Sequence, residues 1–195
     1  MLSTPPALYN LRNALLLIAA TLTTSLHAQD KLSLDPTHSE VHFTLDTTLH
    51  TVHGTFHMQQ GDINFDPATG KATGSIVIDA PSGQSGNGSR DRRMSNEILK
   101  TTDFKTITFT PTHFAGTLNS TGDSTLKVHG TFTLLGSPHE IDVPMQVQVN
   151  GDQLHTTGAF TIPYVQWGVK DPSNFAFHVN KEVQIELLLT GTLRH

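Results

Sequence analysis

The sequence predicts an all-β fold closed into an antiparallel barrel, and two observations carry that prediction. From Val41 to the C-terminus, apolar and polar residues alternate in short runs, punctuated by Gly, Pro, Asn and Asp. Successive side chains of a strand point to opposite faces, so each run buries one face and wets the other. Roughly eight or nine such runs occur, all of them one-sided, and together they need a shared interior. A single sheet rolled shut supplies that interior and leaves no edge, whereas a two-sheet sandwich hides the same faces but keeps edges.

The first 28 residues stand outside this pattern. Arg12 precedes an apolar run, Ala14 to Ala20, that fades through Thr21 and Ser25 into His27 and Ala28. This is the arrangement of a secretory signal peptide cleaved after Ala28. Its apolar stretch is about half of the roughly 20 residues a membrane-spanning helix needs. Residues 29–195 then read as one exported domain, periplasmic or secreted, large enough to bury a core. The chain has no cysteine, so no disulfide contributes and core burial alone holds the fold. Residues 29–195 carry 11 basic and 17 acidic side chains. That balance excludes nucleic acid, or an anionic bilayer held by bulk charge.

Asp35-Pro36-Thr37-His38-Ser39 reads as a turn into the first main strand, Val41/Phe43/Leu45. Val52/Gly54/Phe56/Met58 and Ile63/Phe65 follow, and Asp66 to Gly70 form the next turn; hairpins account for both turns. After Ile76/Ile78 the rhythm breaks, and Pro81 to Ser89 reads as a long flexible loop. Met94, Ile98 and Leu99 stand at helical spacing, so a short helix over 90–101 caps one end of the barrel. The remaining strands carry Ile107/Phe109, Leu126 to Leu134, Ile141 to Val149, Leu154 to Ile162 and Val183 to Leu189. Turns at Asn119 to Asp123 and Asn150 to Asp152 make their neighbours antiparallel. Pro144 lies inside one run and marks an edge, a bulge or a missing ladder bond. Pro163 to Pro172, with the only tryptophan, Trp167, is a second irregular stretch at a barrel mouth.

Few of these residues suit catalysis. No Gly-x-Ser-x-Gly elbow and no His-Glu-x-x-His sequence exists. The acids Asp62, Asp66 and Asp152 fall in turns, where they serve backbone geometry. His50, His53 and His57 form the densest histidine cluster, yet on a strand the last two stand about 13 Å apart at roughly 3.3 Å per residue. They read as solvated outward positions, with a metal- or protein-binding outer face around a filled barrel as the alternative. Arg90, Arg92 and Arg93 behind a Gly-rich loop could hold an anion or simply form a solvated helix face. Gly54, Gly130 and Gly158 are in phase with inward residues, where they open room for an apolar tail or relieve strand bending.

The ordered series of motifs resembles the YceI-like family of periplasmic polyisoprenoid-binding proteins, from Leu34 to Leu193. The resemblance runs through Asp35, His38, Ser39, Val41 and Phe43, then Val52, Gly54 and Phe56, then Gly61, Ile63 and Asp66. It continues in Arg90-Asp91, Ile107/Phe109, Gly130, Phe132 and Gly136, and Trp167-Gly168. The sequence departs from the family pattern at Ser82 to Ser89 and in its extra histidines. The resemblance implies an eight-stranded antiparallel, lipocalin-like β-barrel that binds a long-chain isoprenoid or fatty lipid without catalysis or cofactor. Phe43, Phe56, Phe65, Ile78, Phe109, Phe132 and Phe160 are then the expected wall residues, with Arg90, Arg92 and Trp167 at the mouth. An enzyme using His38 or His139 as base at that mouth is a further alternative. The oligomeric state stays open, a homodimer included.

Overall fold

Along Ser137–Asn150 the alternation is unbroken: Val143, Met145, Val147 and Val149 are buried while Asp142, Pro144, Gln146 and Gln148 are exposed. The same one-sidedness recurs around the whole sheet. The computed structural model describes residues 29–175 and 177–195; the expected signal segment, 1–28, lies outside the described residues. The strands are β1 (Asp30–Leu34), β2 (Glu40–Asp46), β3 (Thr51–Phe65), β4 (Ala72–Gln84), β5 (Thr106–Ala115), β6 (Gly122–Leu134), β7 (Ser137–Asn150), β8 (Gln153–Ile162) and β9 (Val183–Arg194), with helix α1 (Gly88–Arg93) between β4 and β5. Every pairing is antiparallel, each strand from β2 to β9 pairs with the next, and β9 returns to β2. The sheet is therefore a closed barrel with eight positions around its circumference.

Nine strands fill eight positions because β1 and β2 share one. β1 pairs with Asp62–Phe65 of β3 and Gly191–Arg194 of β9. β2 pairs with the other halves of the same two strands. Between them, residues 35–39 leave the sheet while β9 advances only from Gly191 to Leu188. The chain rejoins in the same direction, so this stretch is an outward excursion and not the expected hairpin. Its base is pinned to β9. The Asp35 N–H donates to the Thr190 carbonyl at 2.8 Å, and the Thr190 N–H donates to Ser39 Oγ at 3.1 Å. The Asp35 carboxylate accepts from Thr37 and sits 2.7 Å from His38 Nδ1, contacts that hold its carboxyl well below the usual range.

Bulges keep the apolar set inside where the phase of the sequence changes. In β3, register shifts beside Thr55–His57 and Met58–Gln60 switch the inward positions from Val52, Phe56 and Met58 to Gly61, Ile63 and Phe65. In β5, a shift between Pro111 and His113 does the same for Phe109 and Phe114. The loop expected at Pro81 to Ser89 is shorter than its composition suggests, since Pro81 to Gln84 complete β4. Asn87 caps α1 by accepting from the Ser89 and Arg90 N–H groups, both at 3.1 Å. A π-helical turn, Met94–Ile98, prolongs the helix.

The inward glycines do not leave space directly above themselves. A Cβ on Gly54 would collide with the Phe43 ring and the Gln84 carbonyl, one on Gly130 with the Thr110 carbonyl and the Phe109 ring, and one on Gly158 with Met145 Sδ. Each glycine is a seat in which a neighbouring large side chain lies flat against the wall.

One seam of the barrel is closed over only half its height. β7 and β8 pair from Met145–Gly158 to Asn150–Gln153. Beyond Pro144, the Ser137–Val143 half of β7 pairs only with β6, and Ala159–Ile162 pair only with β9. Proline, which has no N–H to donate, stands where the ladder ends. Trp167 fills the wedge. Its ring stacks on His139 at 4.0 Å with an interplanar angle of 3°, and lies 5.8 Å from Phe132, which meets Phe160 edge-on at 6.1 Å. His139 Nε2 is buried with no hydrogen-bond partner among the described residues, so the ring is held there by stacking.

Two substitutions test this packing by urea denaturation. Gly130→Ala forces its methyl against strand backbone and is expected to destabilise the fold by about 1–3 kcal/mol. Trp167→Ala empties the wedge and is expected to cost about 2–4 kcal/mol; a loss below about 0.5 kcal/mol would show that the wedge needs no filling.

Candidate functional site

The barrel encloses a cavity of about 390 Å³ with an almost wholly apolar lining. Two packed layers bound it. At one end Leu34, Val149, Leu154 and Leu193 belong to a buried cluster in which Val149 and Leu193 are each only 1% exposed. At the other, Leu134, Ile162, Tyr164 and Val169 form a second cluster. Phe43, Phe56, Phe65, Ile78, Phe109, Phe132 and Phe160 all line the cavity. These are the residues whose alternation put them on the inner face.

The second end is the mouth. The connections 47–50, 85–105, 135–136 and 163–182 gather there, so both irregular stretches of the sequence meet at one opening. Arg90 lines the cavity and Arg92 does not. Arg92 is exposed and reaches back to Ser89 Oγ at 3.1 Å, while Arg93, one residue on, faces the cavity with Arg90 and Met94. Residues three and four apart share a helix face, so the spacing from Arg90 could have selected Arg93. Trp167 also lies outside the lining: at this end it packs on the second cluster and stacks on His139 beside the β7–β8 gap, a contact that no local pattern announces. Met94, Ile98, Leu99, Pro172, Phe177 and Val179 complete the lining near the opening.

The segment after β8 acts as a strap across the mouth. Thr48 donates to the His178 carbonyl at 3.0 Å and Asn180 to the Asp46 carbonyl at 2.8 Å, which hooks the strap to the β2–β3 turn. Tyr164 donates its hydroxyl to the Asn180 carbonyl at 2.6 Å. Burial, and then the Asp171 charge, push that phenol up to about 12, so it remains a donor at any ordinary pH. On the other side Glu97 joins α1 to the strap: Lys170 Nζ lies 2.9 Å away and Arg93 Nε 3.6 Å. The Lys170 hydrogen bond and charge hold the Glu97 carboxyl below its usual range.

Arg90 is fixed rather than free. Its Nε donates to Ser85 Oγ and its Nη2 to the Ser85 carbonyl, both at 2.7 Å. Ser85 in turn donates to the Asp91 carboxylate through its N–H and its hydroxyl. Nη1 stands 3.5 Å from His50 Nε2, and Arg90 has no ion pair among the described residues. A positioned cation therefore sits where the apolar cavity meets water.

The histidine cluster does not converge. His53 and His57 are exposed on the outer face and only His50 reaches the mouth. Among the described residues, no group of three or more His, Cys, Asp or Glu side chains could hold a metal ion. The barrel is hollow rather than filled. His38 is tied to Asp35 on the outer excursion and His139 is stacked in the wedge, so neither stands in the cavity lining.

Solved structures share this architecture. Burkholderia cenocepacia BcnA superposes with a TM-score of 0.67 at 21% identity, covering 80% of this chain and 98% of that one. A polyisoprenoid binding domain from Saccharophagus degradans gives a TM-score of 0.67 at 21% identity, covering 83% of this chain and 97% of that one. A Campylobacter jejuni YceI protein gives 0.60 at 17% identity, covering 74% and 86%. No curated protein sequence matches the chain. The family model of the YceI-like domain matches residues 32–190, nearly the whole barrel, and the chain belongs to the YceI-like family.

Proposed function

We propose that residues 29–195 form an exported, non-catalytic carrier of a long-chain isoprenoid or similar amphiphilic lipid. The tail occupies the barrel interior and a polar head sits at Arg90, Arg93 and His50. The observation that carries this reading is the apolar cavity of about 390 Å³ inside the barrel, rimmed at one end by a fixed arginine. That volume falls within the roughly 300–1,000 Å³ of small-molecule sites. The description of the Saccharophagus degradans neighbour as a polyisoprenoid binding domain supports it.

Affinity comes mainly from hydrocarbon. A tail burying roughly 400 Å² gains about 10 kcal/mol at 25 cal/mol per Å², before association and ordering costs. Arg90 adds orientation, since its Nη1 lies at the opening and its other donors are already held by Ser85. The non-catalytic reading is supported by the placement of charge. The titratable groups of the lining, His50, Arg90, Arg93 and Tyr164, stand at the mouth and leave the hydrocarbon end of the cavity without an acid or base.

Solvent extraction of the purified protein followed by mass spectrometry is expected to yield a long-chain lipid in near-stoichiometric amount. Phe132→Asp places a charge in the wall and is expected to abolish that retention while circular dichroism stays β-rich. Arg90→Gln is expected to keep the tail but weaken an anionic amphiphile about tenfold or more, as loss of a charged hydrogen bond implies. Lipid retained by a folded Phe132→Asp protein would overturn the carrier reading.

A further inference from the structure

The mouth differs from the rest of the surface in two independent ways. Among the described residues three large apolar side chains are exposed, and two of them crown the opening: Leu49, at 76%, on the β2–β3 turn, and Phe175, fully exposed, on the strap. The third, Leu188, is on the outer wall. Charge is also divided between the ends. The four connections at the mouth hold seven basic and five acidic residues, whereas the remainder of residues 29–195 holds four basic and twelve acidic. The mouth is thus net positive on a protein that is otherwise strongly negative.

We propose that this end is a docking surface for an anionic lipid bilayer, which the protein meets mouth-first. An anionic surface attracts the basic rim, among them Arg90, Arg92 and Lys181, and repels the acidic wall, so the field orients the barrel before contact. Leu49 and Phe175 then enter the headgroup region, as apolar residues of interfacial proteins do. Between them lies the cavity opening, lined by Phe177 and Val179 of the strap that carries Phe175. A lipid tail could then pass from bilayer to barrel without crossing water. Docking at this end follows from the surface alone and extends the carrier reading without requiring a particular ligand.

The absence of cysteine makes the test direct, because a single introduced thiol can be labelled without background. An environment-sensitive fluorophore is attached at Leu49→Cys, and separately at Asp152→Cys, which lies in the β7–β8 turn at the opposite end. The full chain is titrated with vesicles of equimolar phosphatidylglycerol and phosphatidylcholine, or of phosphatidylcholine alone. With the anionic vesicles the probe at 49 is expected to shift to the blue and the probe at 152 to stay unchanged. High salt is expected to remove the response, as screening shortens from about 10 Å at 0.1 M to about 3 Å at 1 M. Adding Phe175→Ser to the labelled chain is expected to weaken vesicle affinity roughly tenfold or more, the worth of one large apolar side chain. A silent probe at 49 with anionic vesicles overturns the proposal. So does a response at 152 as large as that at 49, since Asp30 begins β1 at that opposite end and attachment there would reverse the orientation. A protein that yields lipid on extraction but leaves the probe at 49 silent overturns docking alone, and one that docks while empty overturns the carrier reading alone.

Discussion

The hollow interior depends on how large side chains lie against the wall. An eight-stranded barrel is just narrow enough for its own side chains to fill. Here Phe43 lies over Gly54, Phe109 over Gly130 and Met145 over Gly158, in positions a Cβ would occupy. A ring that lies in such a seat does not project to the axis, and the centre is left open. The glycines thus act at one remove: the volume they give up is taken by a neighbour, and the neighbour vacates the middle. The two packed clusters at the ends persist because there the inward residues, such as Val149, Leu193 and Leu134, meet one another directly.

The ring of strands was legible because burial has a period of two and the sequence follows it. The wall residues from Phe43 to Phe160, named once the family resemblance implies a ligand-holding barrel, lie on the inward phase of that period within each strand. Even Pro144 could be read, since a missing donor must coincide with a missing ladder bond. What escaped depended on contacts distant in sequence. Asp35 to Ser39 have turn chemistry, but whether such a turn reverses the chain or bulges outward is decided by β9, more than 150 residues away. Pro81 to Gln84 look like loop because Gly and Pro weaken a strand in isolation, whereas β3 supplies the pairing that extends it to Gln84. Trp167 is placed at the mouth by the irregular stretch that carries it, and it does pack there on the second cluster; its stacking on His139, beside the gap between β7 and β8, exists only once the barrel is folded.

The mouth is built from parts that are individually weak. Exposed ion pairs such as Lys170–Glu97 contribute little singly, and the strap is held mainly by backbone hydrogen bonds to the β2–β3 turn and by buried Tyr164 and Val169. Such a roof separates two demands. The apolar end of the cavity is fixed by the sheet, while its opening is framed by connections whose loss would not unravel the strands. Arg90 belongs to the firmer part, because Ser85 and Asp91 lock its orientation before any guest arrives.

The broken strand made of β1 and β2 has a consequence for how the molecule comes into being. Both halves must lie beside β9, with Leu32 opposite Leu193 and Val41 opposite Leu187. Without β9 in place, the sheet is an open ribbon with bare edges on β1, β2 and β8. Contacts of such sequence separation are slow to form and leave sticky intermediates. The ring therefore cannot shut until β9 takes its place between the broken strand and β8, and β9 is the latch.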